Sequence, residues 1–221
     1  MALFGNPEFE TLGRVWFRKV IPANSLTDFA RLCDVGGRPG LRLGLRDELR
    51  AHLNAFSNLL ANFGVDSKPV RMVSFNKSPE ANWSVPWHQD RVIAVAKRRE
   101  TSGYSNWVHK DGFWHCEPPF EILKSMIFVR VHFDACDKTN GAMSLALGSH
   151  QAALVDAVRA REIAEASEIE VCEAEAGDIL VAKALILHRS STAMKATSRR
   201  ALRVDYARRN QLAPELEWAL T

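Results

Sequence analysis

Three times in 221 residues a histidine stands two positions before an aspartate: His88 and Asp90 in VPWHQD, His109 and Asp111 in VHKDG, His132 and Asp134 in VHFDA. An HxD pair offers an imidazole and a carboxylate from neighbouring positions, a spacing at which a chain can give two ligands to one divalent ion. Two histidines and a carboxylate on one side of the ion form the facial triad of non-haem Fe(II) sites, which keeps coordination positions open for a cosubstrate and O2. Such a site needs a third ligand from far along the chain. His188, at the end of the apolar run ILVAKALILH, is the best late candidate.

The elements that must bring these ligands together are read from periodicity. NSLTDFARLC and LRDELRAHLNAFSNLLANFG predict two helices. In the first, Ser25 and Asp28 resemble a capping box ahead of Phe29 and Leu32. In the second, Leu45, Leu49, Leu53, Phe56, Leu60 and Phe63 recur at intervals of three and four, and Gly64 stands where a C-cap belongs. This stripe is read as core packing.

After Pro69 the period changes to two. Residues 70–75, 91–96, 126–133, 142–147, 169–174, 178–188 and 201–207 are short β-rich runs separated by turns such as DKTNG and AGD, with one more helix expected at 152–165. Helices followed by a series of strands predict a mainly β fold. The expected form is a β-sandwich or jelly roll with the helices packed on the outer face of one sheet. We expect one domain over 1–221, with 1–68 as helical support and 69–208 as the jelly-roll core.

Two strands show which way their faces point. In IFVRVHF, Ile127, Val129, Val131 and Phe133 share one face, and Phe128, Arg130 and His132 the other. In RALRVDY, Leu202, Val204 and Tyr206 lie opposite Arg203 and Asp205. A strand face with Arg and His at its middle either meets solvent or lines a polar cavity, and the strand alone leaves both open.

Position selects among the HxD pairs. His132 and Asp134 leave too few strands before His188 to close a jelly roll, and their strand is core on its other face. His109 and Asp111 sit in SGYSNWVHKDGFWHCEPP, which has no regular period and is expected to be a loop. His88 and Asp90 immediately precede RVIAVA and leave the needed strands before His188.

From about residue 70 to 208, with NKSPEANWSVPWHQD, CDKTNGAMSLALGSH and GDILVAKALILHRSSTAMKATSRRAL, the sequence resembles the phytanoyl-CoA dioxygenase (PhyH) family of Fe(II)/2-oxoglutarate-dependent oxygenases. The family pattern is an HxD, an NG…GSH hairpin, a distal His, a Ser two residues later and an Arg eleven residues later. The resemblance implies a double-stranded β-helix (jelly roll, cupin-like), in which His88, Asp90 and His188 bind Fe(II) and Arg199 with Ser190 holds the far carboxylate of 2-oxoglutarate. A planar guanidinium suits that carboxylate better than an ammonium does. Arg200 has the opposite strand face and Arg203 is displaced by four, so both rank below Arg199. The implied reaction consumes 2-oxoglutarate and O2, releases succinate and CO2, and oxidises a second, small-molecule substrate, with hydroxylation the expected outcome. Family members that halogenate lack the carboxylate ligand, whereas Asp90 is present here.

Candidate substrate contacts are Trp107 and Lys110, in the irregular stretch 97–119 with the length of a lid, and Arg130 and His132 on the polar strand face. Lys110, Arg130 and His132 suit an anionic or polar substrate. A cupin-like metal or small-molecule binding protein without turnover is the alternative, but it has no need of a 2-oxoglutarate clamp. A zinc hydrolase with the same three ligands leaves Arg199 unexplained.

Composition limits the partners. A net charge of +3, from 29 basic against 26 acidic residues spread along the chain, makes no case for nucleic acid. The start, interrupted by Glu8 and Glu10, lacks a secretory pattern, and no run reaches the length of a membrane span. Cys33, Cys116, Cys136 and Cys172 are widely spaced and read as reduced thiols. A cytoplasmic protein, monomeric or homodimeric, is expected.

Overall fold

The computed structural model describes residues 6–61, 66–195 and 197–220; Phe63 and the expected C-cap Gly64 lie outside the described residues. Along the chain run α1 (Pro7–Leu12), β1 (Arg14–Phe17), α2 (Ala23–Leu32), β2 (Gly40–Leu43), α3 (Asp47–Ala61), β3 (Lys68–Lys77), β4 (Val85–His88), β5 (Ile93–Val95), β6 (Ser105–Lys110) and β7 (Phe113–Glu117). These are followed by α4 (Phe120–Ser125), β8 (Ile127–His132), β9 (Met143–Ala146), a 3-10 turn at Ser149–Ala152, α5 (Ala157–Glu165), β10 (Ile169–Val171), β11 (Ile179–Lys183), β12 (His188–Ser190) and β13 (Arg199–Ala207).

The strands form a six-stranded sheet in the order β1-β11-β8-β13-β3-β2 and a four-stranded sheet in the order β10-β9-β12-β4, and every pair is antiparallel. Two such sheets, with the chain crossing repeatedly between them, make the jelly roll that the strand pattern predicted.

Period-two alternation decides what each face of the large sheet does. Its outer face carries Val129, Val131, Val181, Leu202, Val204 and Tyr206, which join Phe9 of α1, Leu26 and Phe29 of α2, and Leu49, Leu53, Phe56 and Leu60 of α3 in one apolar cluster. Phe29 is its hinge point: fully buried, it stacks on His52 at 4.1 Å and meets Phe133 edge-on at 5.1 Å. The helices therefore cover the apolar face, and the charged alternation of β3, β8 and β13 is turned inward.

Several local expectations needed correction. The first 68 residues are not only helical, because β1 and β2 are edge strands of the large sheet, paired with β11 and β3. Ser25 lies inside α2 rather than capping it; Pro22, in extended conformation, precedes the helix and its carbonyl accepts from Ser25 and Leu26. The run 178–188 is two strands, not one: β11 in the large sheet and β12 in the small one. Between them Ala184, Leu185, Ile186 and Leu187 turn inside the core and are all buried, so hydropathy carries no trace of the break. His188 consequently opens a strand instead of ending one.

The stretch 97–119 is also more regular than its composition suggests. β6 and β7 form a hairpin, completed by β5 into a three-stranded sheet. Asp111 and Gly112 make its turn with positive φ of 51° and 84°, the conformation for which Asp-Gly is the favoured dipeptide.

Candidate active site

His88 ends β4 and His188 begins β12, and the two residues are directly paired across the small sheet. Their rings lie 4.2 Å apart between centroids. Asp90, two residues beyond the strand, brings its carboxylate Oδ2 to 3.5 Å from Nε2 of His188. One ligand atom from each of His88, Asp90 and His188 falls within 4.8 Å of the other two. The register between β4 and β12 shifts between His188 and Ser190, a bulge that re-aims side chains next to the site.

Both imidazoles are oriented by the backbone. Nδ1 of His88 lies 2.8 Å from the Pro86 carbonyl oxygen, and Nδ1 of His188 lies 3.0 Å from that of Ile186. A carbonyl only accepts, so each Nδ1 carries the proton and each Nε2 keeps its lone pair for a metal. Burial, then the neighbouring His188, pushes His88 below the usual imidazole range, which favours the neutral form that a metal requires.

Asp90 is held from behind. Burial would raise its carboxyl, but Arg203 first, then the neighbouring His188 and Arg71, outweigh this and keep it well below the usual carboxylate range. Arg203 pairs with Asp90 Oδ2 through Nη1, and Arg71 approaches the same oxygen at 3.8 Å. Asp205 fixes both guanidiniums, accepting from Arg203 Nε at 2.7 Å and from Arg71 Nε at 2.5 Å. The donor set of two imidazoles, each with Nδ1 directed to a backbone carbonyl, and one carboxylate fits a divalent non-haem iron.

These residues lie at one end of a cavity, open to solvent, whose apolar wall is Phe75, Trp83, Val85 and Met143. Its far end is cationic. Arg199 at the start of β13 is buried, and its Nε has no hydrogen-bond partner. Lys77 sits opposite it in register, donating from Nζ to Ser190 Oγ at 2.9 Å and to the Ser191 carbonyl. Gly141 lets this happen: a Cβ there would stand 3.0 Å from Lys77 Nζ and 2.9 Å from the Ser191 carbonyl oxygen. Arg130 also lines the cavity, 5.5 Å over the Phe75 ring, with its buried Nε unpartnered.

Of the residues singled out in the sequence, His88, Asp90, His188, Ser190, Arg199 and Arg130 line this one cavity. His132 does not. It lies buried deeper on β8, 5.6 Å from the Trp16 ring, with Nδ1 3.4 Å from the Asp178 carbonyl oxygen. Asp134 holds Arg200 on the other face of β13. Trp107 packs against the apolar cluster under the β5-β7-β6 sheet, and Lys110 is exposed at the hairpin end, so neither reaches the cavity. His109 is exposed against Trp114, and Asp111 accepts from the Arg42 backbone.

Sequence reasoning missed Lys77, Arg71 and the partnership of Arg203 with Asp90. The alternation Arg71, Val73, Phe75, Lys77 in VRMVSFNK carried the signal, because it places both cations on one face of β3.

Comparison with known proteins agrees with this geometry. Among curated proteins no sequence matches the chain. Among solved structures, EctD from S. alaskensis in its apo form is similar with a TM-score of 0.68 at 13% identity, covering 94% of this chain and 77% of that one. The non-haem alpha-ketoglutarate-dependent carbocyclase SnoK from nogalamycin biosynthesis gives 0.65 at 14%, over 91% and 81%. HygX from Streptomyces hygroscopicus with nickel and 2-oxoglutarate bound gives 0.61 at 15%, over 91% and 85%. At such identities these likenesses are of fold. The phytanoyl-CoA dioxygenase (PhyH) family model matches residues 45–201, more than half of the chain and all of the candidate ligands. The chain belongs to the phytanoyl-CoA dioxygenase family, and is an oxygenase of the kind that depends on non-haem iron and 2-oxoglutarate.

Proposed function

We propose that the protein hydroxylates a small molecule, with His88, Asp90 and His188 as the iron ligands and Arg199 with Ser190 as the clamp on the far carboxylate of 2-oxoglutarate. The observation that carries this reading is the pairing of two unmet needs in one cavity. Three metal-type donors converge at one end, and a buried guanidinium without an acceptor waits at the other. A bound Fe(II), with 2-oxoglutarate and O2, supplies the oxidising power, releasing succinate and CO2.

The chain's own residues supply the rest. Nδ1 bonds to Pro86 and Ile186 hold the imidazoles in the ligating tautomer. Arg203 and Arg71 keep Asp90 ionised, and the presence of that carboxylate as a would-be ligand favours hydroxylation over halogenation. Arg199 offers a planar, doubly donating group to a carboxylate, and Ser190 adds a hydroxyl. Phe75, Trp83, Val85 and Met143 give the same cavity its apolar wall. We propose that the whole chain, 1–221, works as one such unit.

The test is spectroscopic and catalytic. Anaerobic Fe(II) plus 2-oxoglutarate is expected to give the weak visible absorption of a keto-acid chelate, and O2 then to give succinate. Unchanged iron binding and succinate formation in Asp90→Ala would remove the site assignment.

A further inference from the structure

The charges around the cavity do not balance, and the imbalance points to the substrate. Arg71 and Arg203 are answered by Asp90 and Asp205. Lys77, Arg130 and Arg199 have no carboxylate partner among the described residues. On the reading above, 2-oxoglutarate brings one carboxylate to the metal and one to this group, so three cations meet a single far carboxylate. Desolvated charge without a counter-ion is costly, and such a surplus is expected where a second anion binds.

Which cation is left over follows from its contacts. Lys77 already donates to Ser190 and Ser191, directly beside Arg199, and belongs to the cosubstrate end. Burial, then Arg199 and Arg130, brings Lys77 down to about 8, so it can also shed its charge. Arg130 can do neither: burial and Arg199 lower it only to about 10, and its Nε has no acceptor. Arg130 is paired in register with Arg203, the residue that holds Asp90. Its backbone is therefore level with that of Arg203, about 13 Å along the sheet from that of Arg199 at about 3.3 Å per residue, while its guanidinium lies over the Phe75 ring and feels Arg199 as its strongest charged neighbour. The Phe75 ring lies 5.5 Å from it, whereas Trp83 lies by Lys77, with Nζ 5.0 Å from the ring centre.

Resting on the oxygenase reading, we propose that the molecule oxidised is itself an acid: a part-apolar compound whose carboxylate or phosphate docks on Arg130 while its carbon body lies along Phe75 and Met143. A guanidinium serves both anions, because each offers two oxygens to its paired N–H groups. Arg130 is thus a specificity-determining residue, separate from the Arg199 clamp.

The experiment uses the full chain with Fe(II), 2-oxoglutarate and O2, and follows succinate release. Probes come in matched pairs: part-apolar carboxylic acids with their primary amides, and phosphate monoesters with the parent alcohols. At least one charged member is expected to stimulate succinate release about tenfold over its neutral partner, and the pair that responds separates carboxylate from phosphate. In Arg130→Met the apparent constant for that probe is expected to rise at least tenfold more than the constant for 2-oxoglutarate. Arg130→Lys is expected to recover part of the loss, which a merely structural defect would not. Equal stimulation by neutral partners, or no stimulation by any acid, overturns the proposal. So does a 2-oxoglutarate constant that rises as far as the probe's, since Arg130 would then belong to the cosubstrate clamp. A wild-type protein that forms no succinate with or without probes overturns the oxygenase reading itself, a result distinct from either.

Discussion

Replacing Arg199 by Met should move stability and cosubstrate binding in opposite directions. In the ligand-free protein Arg199 is 3% exposed, makes no carboxylate pair, and is pulled below its usual range by burial. Methionine has a comparable reach and no charge, so the substitution removes a desolvated cation without opening a large void. Exchanging buried ionic groups for apolar ones gains about 1–4 kcal/mol. The cavity admits solvent, so the low end applies: about 1 kcal/mol, or roughly 2–4 °C in Tm for a chain of this size. In the complex the sign reverses. Truncating one partner of a buried hydrogen-bonded charge pair costs about 2–5 kcal/mol. Lys77 remains to attract the same carboxylate, so again the low end is expected, roughly 30- to 300-fold in Kd at about 1.4 kcal/mol per decade. Calorimetric titration of 2-oxoglutarate into Ni(II)-loaded protein, with thermal melts of the ligand-free form, reads both effects. A Kd within about threefold of wild type, or a clear drop in ligand-free Tm, would refute the reasoning, because Arg199 would then be a structural residue that already has its partner.

Four further outcomes follow from other parts of the molecule. His88→Ala and Asp90→Ala should each abolish tight Fe(II) binding, read by anaerobic calorimetry, while leaving far-UV circular dichroism intact. Lys77, held near 8 by burial, Arg199 and Arg130, should make 2-oxoglutarate affinity fall as pH rises through 8, since anion binding favours the protonated ammonium; Lys77→Met should bind more weakly and lose that slope. His132, lowered to about 3 from 6.5 by burial and then Arg130, stays neutral in the fold while the unfolded chain protonates; stability present above pH 6.5 should drain away as pH falls toward 3, and His132→Phe should flatten that dependence in melts at graded pH. Phe29→Ala, removing a fully buried ring from between α2, α3 and the large sheet, should cost about 3–5 kcal/mol in urea titrations, and a loss below about 1 kcal/mol would mean the outer cluster is loosely packed.

How far the fold can be read from the sequence varies by element, for physical reasons. β3, β8 and β13 were legible because one face is apolar and the other charged, which makes period two unmistakable. β11 and β12 were not separable, because the chain crosses between sheets through Ala184–Leu187 without ever leaving the core. β1 and β2 were missed for the opposite reason. They are four-residue edge strands, half-buried throughout or nearly so, with too few residues to show a period. The β6–β7 hairpin was hidden by exposed polar positions on β6, although its Asp-Gly turn was written plainly at 111–112.

The site divides along the same line. His88, Asp90, His188, Ser190 and Arg199 have fixed spacings within short segments, and spacing survives in a sequence. Lys77, Arg71 and the role of Arg203 depend instead on register between strands far apart in the chain, Arg199 against Lys77 and Arg203 against Arg130. A charged residue in a strand has two readings, solvent or cavity, until it is known which strands are neighbours and what covers the other face. Here the helices cover the apolar face, so the cations of β3, β8 and β13 must turn inward together. Each is ambiguous alone; side by side they form a surface with more positive charge than one dicarboxylate and two aspartates can answer. That surplus is a property of the sheet rather than of any residue in it. This is why Arg203 looked four positions out of place by motif count, yet by register stands against the very carboxylate that the motif had singled out.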